Sequence, residues 1–347
     1  MKVVVAMSGG VDSAVSALIL KSKGYEVVGV HFKTERDVFF SKFTLTHKVC
    51  CSPDDTIDAK KIAKKLGIEM QVIDLHEDFE KSVINEFAKG YMKGITPNPC
   101  TLCNKEIKFS TLRKIAEETH SNFWATGHYA MVENGKIRMA RDKKKDQSYF
   151  LALVKKEDLK HLILPLGNLS KSEVRFIAQT NQLEISSKPD SQDVCFIPDG
   201  NMERFFRSRH IKLLPGPIIT TDGEIIGEHH GYQLYAVGQR KGLGLAVGHR
   251  IYVLDVDPRR NAVIVGEREE LLKNRIFVRN VNLLEDLSTE VDCECKVRST
   301  ANVVPCHVKF GNPTEVTFLK AVIPVPGQII AFYKEGYLLG GGIMTKS

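Results

Sequence analysis

Residues 8–13 have the side chains and backbone freedom to bind a chain of phosphates. They read Ser-Gly-Gly-Val-Asp-Ser and lie between an apolar run and a stretch whose apolar residues recur at helical spacing. Glycines permit a tight turn, and the backbone N–H groups that begin a helix attract phosphate. The pattern is neither the Walker loop nor the dinucleotide fingerprint. The alternative is a helix cap without a ligand, in which the helix dipole stabilises Asp12.

Cysteines provide the second set of reactive side chains. Cys100 and Cys103 follow a stretch in which Pro97 and Pro99 force their predecessors into extended conformations. The spacing predicts a stiff arm that presents residues 98–100. A Cys-x-x-Cys pair in a cytosolic protein is a redox pair or half of a metal site, and a buried structural thiol is the alternative for each cysteine.

The helix after this arm would make Cys103 reactive. Asn104 is predicted to cap that helix, which places Cys103 beside a helix N-terminus. Lys105 and Lys108 would add positive charge, and both effects favour the thiolate. Cys195, between polar and apolar neighbours, is by itself equally consistent with a core thiol. Five further cysteines are interpreted as structural: Cys50, Cys51, Cys293, Cys295 and Cys306.

Strands and helices alternate in the first part of the chain, which predicts an α/β domain with a parallel sheet. Gly127 and His128 follow a predicted strand at the sheet edge where open α/β folds bind ligands. Asn134-Gly135 between alternating residues predicts a hairpin over 129–141. The predicted strands are 2–7, 27–32, 69–73 and 123–127, and the predicted helices are one ending at Gly24, 52–66, 77–92 and 104–119.

We expect three domains: a nucleotide-binding domain at 1–203, a small basic middle domain at 204–268 and a C-terminal β-barrel at 269–347. The length of 347 residues suggests two or three domains. From about residue 222, short strands alternate with glycine, proline and asparagine, a pattern typical of a small barrel. These strands are predicted at 250–256, 262–266, 291–298, 306–310, 315–319, 329–333 and 337–344.

The composition is that of a globular protein. Hydrophobic residues at 43% and charged residues at 26% argue against extensive disorder. A formal charge of +7 permits a polyanionic partner without requiring one. Eight cysteines are too few for a disulfide scaffold. Because Ser8 interrupts the apolar start, neither a signal peptide nor a membrane span is predicted, and we expect a cytoplasmic protein without a membrane partner.

Seven sequence blocks, in this order, resemble the tRNA-specific 2-thiouridylase family over nearly the whole chain. The first block also resembles the pyrophosphatase loop, or PP-loop, of enzymes that cleave ATP between its α and β phosphates. The resemblance implies a PP-loop domain of the adenine nucleotide alpha hydrolase type, a small middle domain and a β-barrel. The blocks are 6–13, 98–99 with 103–109, 125–129, 145–150, 195–197, 238–244 and 339–342.

The resemblance implies an enzyme that replaces O2 of the wobble uridine of tRNA with sulfur. Cys195 would carry a persulfide that a donor protein supplies, and Cys103 would be its catalytic partner. Cys103 would either attack the sulfur–sulfur bond after the persulfide has attacked C2 or first liberate hydrosulfide, and both routes leave a Cys103–Cys195 disulfide. Asp12 would hold Mg²⁺. Residues that would bind ATP are Ala6, Met7, Ser8, Gly9, Gly10, Val11, Asp12, Ser13, Phe32 and Gly127. Asn98, Pro99 and Cys100 would contact the target base, and His128, Lys145, Asp146, Gln147, Arg298, Ser299 and Gln328 would contact the anticodon arm of the tRNA.

Two residues depart from the family pattern. Many relatives have Met where Phe32 stands and Asp where Cys100 stands. With Cys103 and Cys195, Cys100 makes three thiols that could hold an iron–sulfur cluster, so this alternative stands beside the favoured persulfide relay. Two further alternatives are a PP-loop amidating ligase or tRNA lysidine synthetase, which needs no paired cysteines, and a non-catalytic tRNA-binding protein.

Overall fold

The computed structural model describes residues 1–34, 53–188, 194–197 and 199–346. The predicted cap at Ser52 and the cysteines Cys50 and Cys51 lie outside these residues. The chain divides into two compact units. The first comprises residues 1–83, 100–200 and 335–338, and the second comprises residues 84–99, 201–334 and 339–347.

A parallel sheet forms the centre of the first unit, as predicted. Its strand order is β3-β2-β1-β4-β7, with β1 in the middle. The apolar run of β1 is buried because helices cover both faces of such a sheet. Its strands are β1 (Lys2–Ala6), β2 (Glu26–Lys33), β3 (Glu69–Asp74), β4 (Phe123–Ala125) and β7 (Leu162–Ile163). The sequence patterns do not predict β7.

The helices that follow these strands bury one face each. In α1, Ala14 and Val15 pack in the same core as Val3 and Val5 of β1. Each is fully buried, which explains the apolar spacing in the sequence. The helices of the α/β region are α1 (Val11–Ser22), α2 (Pro53–Leu66), α3 (His76–Phe79), α4 (Asn85–Met92), α5 (Pro99–Leu102), α6 (Ser110–Glu118) and α7 (Lys171–Thr180). A π-helical segment (Glu80–Ile84) joins α3 to α4, and another (Cys103–Phe109) joins α5 to α6.

The helix predicted at 104–119 begins earlier, and this corrects the expected position of Cys103. Helix α5 starts at Pro99, a residue suited to the first helical position because its missing N–H has no partner to lose there. Asn104 is therefore inside the helical stretch, where it donates from Nδ2 to the carbonyl of Phe150 at 3.0 Å. Cys103 begins the π-helical segment rather than standing next to a helix N-terminus.

A hairpin in the first unit matches the Asn134-Gly135 signal. Its strands are β5 (Ala130–Glu133) and β6 (Lys136–Met139). Asn134 and Gly135 both have positive φ, at 52° and 72°. A two-residue turn with positive φ at both positions has the twist that adjacent antiparallel strands need.

The second unit contains a four-stranded sheet with the order β10-β11-β8-β9. Two strands predicted in the barrel-like run, 250–256 and 262–266, belong to this separate sheet instead, because β11 pairs with β8. Its strands are β8 (Gly216–Thr220), β9 (Ile225–His229), β10 (Tyr252–Asp257) and β11 (Ala262–Gly266). Helix α8 (Met202–Ser208) precedes them.

The C-terminal strands close into the predicted β-barrel. Their order is β12-β15-β14-β13-β16-β17, and β12 pairs with β17 to complete the ring. The sequence patterns do not predict the long first strand β12. The strands are β12 (Lys273–Leu283), β13 (Glu290–Lys296), β14 (Val304–Lys309), β15 (Thr314–Val322), β16 (Ile329–Lys334) and β17 (Tyr337–Met344). No helix in the described chain is long and apolar enough to span a membrane.

Candidate functional site

The loop between β1 and α1 is shaped as a phosphate cradle. Ser13 Oγ donates to the carbonyl of Gly10 at 3.0 Å and accepts from the backbone N–H of Ser8 at 3.1 Å. Gly9 has a φ of 76°, and a Cβ there would lie 2.3 Å from the carbonyl oxygen of Asp55. Gly10 occupies the N-cap position of α1, and among the described residues no side chain accepts a hydrogen bond from the first N–H groups of this helix as a cap. The first N–H groups of α1 are therefore available to bind an anion.

Asp12 is held by two side chains that come from distant parts of the sequence. Both of its carboxylate oxygens lie 2.8 Å from Lys171 Nζ. Tyr129 donates its hydroxyl to Asp12 Oδ1 at 2.7 Å. The ammonium of Lys171 also lies 5.7 Å from the centre of the Tyr129 ring. The arrangement concentrates one cation, one carboxylate and one hydroxyl at the start of α1.

Helix α7 places Lys171 at this point. Ser170 caps the helix in a capping box with Glu173, and the Lys171 N–H donates to Asp142 Oδ2 at 3.3 Å. Helix α7 also packs against α1. The backbone of Lys171 is therefore fixed at both a helix start and a helix contact, and only its side chain is left to move.

The strand end at Gly127 fits closely against the start of α1. A Cβ on Gly127 would lie 3.0 Å from both the Asp12 carbonyl carbon and the Ser13 nitrogen. Two residues later, Tyr129 exchanges backbone and side-chain hydrogen bonds with Gln147 at 2.7 and 3.0 Å. The family resemblance implies that Gln147 contacts tRNA, but in this structure its side chain holds the residue that binds Asp12.

Lys188 joins the cradle to α2. Its Nζ donates to the Gly9 carbonyl at 3.1 Å and to Asp55 and Asp58 at 2.6 Å each. Burial lowers the pKa of Lys188, but the hydrogen bonds that it donates to these carboxylates outweigh burial and raise the pKa overall, so the side chain is charged at neutral pH. The ammonium offsets two carboxylates that would otherwise repel phosphate beside the loop.

Several residues expected to bind ATP have side chains inside the core. Met7, Val11 and Phe32 are 1%, 4% and 7% exposed. Met7 and Val11 can contribute to a ligand site through their backbone, whereas their side chains pack against the sheet. His31, next to Phe32, donates from Nδ1 to the Met7 carbonyl at 2.8 Å, and its Nε2 lies 2.9 Å from Thr56 Oγ1.

Helix α3 in the first unit contacts the segment that begins at Cys103 and the residue that follows Cys195. Phe196, next to Cys195, packs edge-on against Phe79 of α3 with ring centroids 5.9 Å apart. The π-helical segment that starts at Cys103 packs against the same helix. Both thiols are half-buried and neither is in a disulfide. A single short helix thus supports the two cysteines that the family resemblance pairs in function.

The three thiols considered for an iron–sulfur cluster do not form a site for a single metal ion. Among the described residues, the one group of three metal-ligating side chains within 4.8 Å of one another is Cys293, Cys295 and Cys306. Cys100 is exposed, while Cys103 is half-buried. Cys100, Cys103 and Cys195 are therefore not grouped as ligands of a single metal ion, and the iron–sulfur cluster stays an alternative to the persulfide relay. The barrel cysteines also pair, since Cys295 and Cys306 form a disulfide.

Gln328 positions the arm that is expected to meet the target base. In the second unit, its Nε2 donates to the carbonyls of Thr96 and Pro97 at 3.1 and 3.4 Å. Asn98 Nδ2 donates to Gln328 Oε1 at 3.3 Å. Thr96 N–H also donates to the carbonyl of Pro326 at 2.8 Å. The arm is thus attached to the segment that leads into β16, and Gln328 supports it.

The other residues expected to touch tRNA differ in their surroundings. Asp146 accepts from the N–H of Ala140 and the hydroxyl of Ser148, both at 3.0 Å, and so holds its own loop. Lys145, Arg298 and Ser299 are half-buried. The guanidinium of Arg298 lies against Gly238, where a Cβ would come within 2.8 Å of it.

His128 is neutral in the folded protein. Its Nδ1 lies 2.7 Å from Thr126 Oγ1. Burial, assisted by the positive charge of Lys108, lowers the pKa of His128 to about 3. His31 has its pKa lowered in the same way, with burial as the largest cause. Neither side chain carries charge at neutral pH.

We expect the protein to lose stability as the pH falls below about 6.5, the histidine pKa in an unfolded chain. His128 then binds a proton in the unfolded state, whereas in the folded state it stays neutral down to about pH 3. From pH 6.5 to 5 this linkage removes about 2 kcal/mol of unfolding free energy for His128 alone. Urea unfolding at pH 7.5, 6 and 5 measures it. H128Q should reduce the acid loss without removing the part that His31 contributes, whereas H230Q at an exposed histidine should leave it unchanged. Equal slopes in wild type, H128Q and H230Q would contradict the assignment.

The whole chain matches known proteins. Three family sequence models match: the tRNA methyl transferase HUP domain at residues 1–199, the tRNA methyl transferase PRC-barrel domain at 204–267 and the aminomethyltransferase beta-barrel domain at 273–344. The tRNA-specific 2-thiouridylase MnmA of Pseudothermotoga lettingae is 43% identical, over 100% of this chain and 99% of its own. That of Fervidobacterium nodosum is 44% identical over 99% of each chain. The chain belongs to the tRNA-specific 2-thiouridylase family.

More distant solved structures add little to this family assignment. A 4-thiouridine synthetase–RNA complex with bound ATP matches 59% of this chain and 50% of its own, at 17% identity and a TM-score of 0.36. A likeness of this size carries no argument about function. The family membership of the chain rests on the full-length relatives of the 2-thiouridylase family and on the matched domains.

Three side chains at the cradle of this 2-thiouridylase family member have no role that the sequence motifs assign, although Tyr129 lies in the matching block 125–129. Lys171, Lys188 and Tyr129 hold the loop and Asp12, yet no motif assigns them this role. The Ser170-x-x-Glu173 capping box is a readable signal for a helix starting at Lys171. No local signal shows that this lysine meets Asp12, which is 159 residues away in sequence.

Proposed function

We propose that this protein uses ATP to replace O2 of the wobble uridine of tRNA with sulfur. The observation that supports the proposal most is the cradle at residues 8–13, which has an uncapped helix start and the carboxylate of Asp12 held by Lys171 and Tyr129. Membership of the 2-thiouridylase family supplies the substrate, and the cradle supplies the means of activating it.

The first step is adenylation of the uracil base. O2 of uracil attacks the α phosphorus of ATP, the bond from the α phosphorus to the bridging oxygen breaks, and pyrophosphate leaves. The N–H groups at the start of α1 bind phosphate oxygens, and the Lys171 ammonium stabilises the charge of the leaving pyrophosphate. The product is a base whose C2 carries AMP as a leaving group.

Mg²⁺ fits this site through Asp12. The ion prefers one or two carboxylates together with phosphate oxygens, and Asp12 offers such a carboxylate at the end of the cradle. Bound there, Mg²⁺ would neutralise phosphate charge. Lys171 occupies both Asp12 oxygens in this structure, so its ammonium must move from at least one of them when a cation binds.

Sulfur transfer follows at the cysteines. A persulfide on Cys195, supplied by a donor protein, attacks C2 with its terminal sulfur, and AMP leaves. Cys103 attacks the remaining sulfur–sulfur bond, which frees the thiolated base and leaves a Cys103–Cys195 disulfide. A dithiol reductant then restores both thiols. The common support of the two cysteines by α3 favours this pairing.

The tRNA is bound through its anticodon arm, and the wobble base leaves its stack to be modified. Arg298 and Lys145 have the charge to bind phosphate, whereas Ser299 suits a backbone contact. His128 is neutral, so it acts as a hydrogen-bonding group and not as a cation. Asn98, Pro99 and Cys100 would meet the base itself.

Product analysis tests the proposal. With ATP, Mg²⁺, a persulfide donor and an anticodon stem-loop that has uridine at the wobble position, we expect AMP and pyrophosphate in equal amounts. A stem-loop with cytidine at that position should give neither, because cytosine has an amino group in place of O4 and no N3–H, and so presents a different hydrogen-bonding edge to the arm. Release of ADP and phosphate would contradict the assignment. Product formation with an amine acceptor in place of sulfur would favour the amidating alternative.

A further inference from the structure

Three cysteines in the barrel form a sulfur cluster that the proposed reaction does not use. Cys293 and Cys295 lie on the inner face of β13, and Cys306 lies on β14 directly opposite Cys293. Cys295 and Cys306 form a disulfide, and Cys293 Sγ is 3.7 Å from Cys306 Sγ. Cys306 can therefore bond to either of two cysteines: Cys293, directly opposite on β13, or Cys295, in the diagonal position on the same strand.

The surroundings of this cluster favour neutral sulfur species over a metal. Val308, Phe318 and Phe332 belong to the same apolar core and are at most 3% exposed. A metal bound by three thiolates would place a charged complex there at a high cost. A disulfide together with a protonated thiol carries no charge. Burial, with nearby Asp292 and Glu294, raises the pKa of Cys293 to about 12, so this thiol stays protonated at neutral pH.

Exposure decreases from Cys293 to the other two sulfurs. Cys293 is 9% exposed, whereas Cys306 and Cys295 are 4% and 1% exposed. A soluble disulfide or thiol that reaches the cluster therefore meets Cys293 first. Since Cys293 also contacts Cys306, a disulfide formed at Cys293 can then be exchanged to the more deeply buried Cys306.

We propose that the barrel carries a redox site in which Cys293 is the entry thiol for the formation and reduction of the Cys295–Cys306 disulfide. The oxidant is a low-molecular-weight disulfide, RSSR. Cys293 attacks it, forming Cys293–S–S–R and releasing one RSH. Cys306 then attacks the Cys293 sulfur and releases the second RSH. Finally Cys295 attacks Cys306, the Cys293–Cys306 bond breaks, and its proton passes to Cys293, which becomes a thiol again.

The bond that results cross-links β13 to β14. Strand β13 also pairs with β16, with Cys295 opposite Phe332. Strand β16 follows Gln328, the residue that holds Thr96, Pro97 and Asn98. The cross-link therefore lies two strands from the segment at Pro326 and Gln328 that holds the base-contacting arm, because β13 pairs with β16 and β16 follows that segment. Only the thiolate of Cys293 attacks a disulfide, and its raised pKa makes the thiolate scarce at neutral pH. Exchange is therefore slow, which suits a response to a lasting change in thiol balance.

A time course of oxidation and reduction tests the proposal. Fully reduced full-length protein is exposed to oxidised glutathione, sampled by rapid alkylation and mapped by peptide mass spectrometry. In wild type we expect a glutathione adduct at Cys293, then a transient Cys293–Cys306 bond, then Cys295–Cys306. C293A should slow both oxidation and reduction of Cys295–Cys306 by at least about tenfold without changing the final extent. C295A should accumulate the Cys293–Cys306 bond.

The melting temperature provides a second measurement that does not depend on kinetics. Oxidation should raise it in wild type and in C293A, but not in C306A, which lacks the sulfur common to both bonds. In C293S a hydroxyl replaces the thiol, so this variant lacks the entry thiol but loses less side-chain volume than C293A. Comparison of C293S with C293A therefore separates loss of the entry thiol from loss of packing volume. Equal oxidation rates in wild type, C293A and C293S would overturn the proposal. So would an absence of disulfide at Cys306, or stoichiometric Zn²⁺ binding by reduced wild type that C306A abolishes.

Discussion

Replacement of Asp12 by asparagine is expected to lower tRNA-dependent pyrophosphate formation by about 10³-fold, because the loss of a metal-binding carboxylate removes several kcal/mol of charge stabilisation. The amide keeps the shape of the side chain and can still accept from the Tyr129 hydroxyl. K171M should reduce turnover by about 10²-fold, since it removes the cation that faces the leaving pyrophosphate. Release of radiolabelled pyrophosphate measures both.

The matched control is K114M, at an exposed lysine on α6. It should leave turnover unchanged. Inhibition by added pyrophosphate tests whether Lys171 binds pyrophosphate or only supports the structure. If Lys171 binds pyrophosphate, K171M should weaken this inhibition while its melting temperature stays near that of wild type. Full activity of D12N, or unchanged pyrophosphate inhibition in K171M, would contradict the assigned roles.

C103S and C195S are each expected to abolish thiolation of tRNA, with at least about a 10³-fold loss, because serine can neither carry a persulfide nor attack a sulfur–sulfur bond. Adenylation precedes sulfur transfer, so both variants should still release pyrophosphate in a single turnover. Mass spectrometry of nucleosides from the tRNA measures thiolation. After one turnover of wild type without reductant, peptide mapping should find a Cys103–Cys195 bond in addition to Cys295–Cys306.

C100S is the control for this pair. A persulfide relay needs only Cys103 and Cys195, so C100S should retain much of its activity. Protein purified without oxygen should be colourless and free of iron. Brown protein whose activity follows its iron content, with equal losses in all three serine variants, would overturn the relay and establish a cluster.

Local sequence patterns predict the frame of the site well. Val3 to Val5 in a continuous apolar run can only be buried on both faces, and Asn134-Gly135 can only form a primed hairpin turn at low cost. Both features depend on residues within a few positions of one another. The parallel sheet, the loop at residues 8–13 and the C-terminal barrel are therefore readable from the sequence.

Helix boundaries near prolines are less readable. The sequence pattern places Pro99 in an extended arm, but proline is equally suited to the first position of a helix, and in the structure α5 begins there. Interactions with residues far along the chain decide between the extended and the helical conformation of this segment. Asn104, which donates to the carbonyl of Phe150, is one such interaction.

The sequence by itself determined the order of strands and helices, the phosphate-binding loop and the identity of the thiols, because spacing and turn chemistry act between near neighbours. Only the tertiary structure decided which distant side chains meet. Lys171 reaches Asp12 and Lys188 reaches Gly9 across 159 and 179 positions of sequence. Cys306 meets both Cys293 and Cys295 through strand register. These long-range contacts depend on how helices and strands pack, and no local sequence pattern encodes that packing.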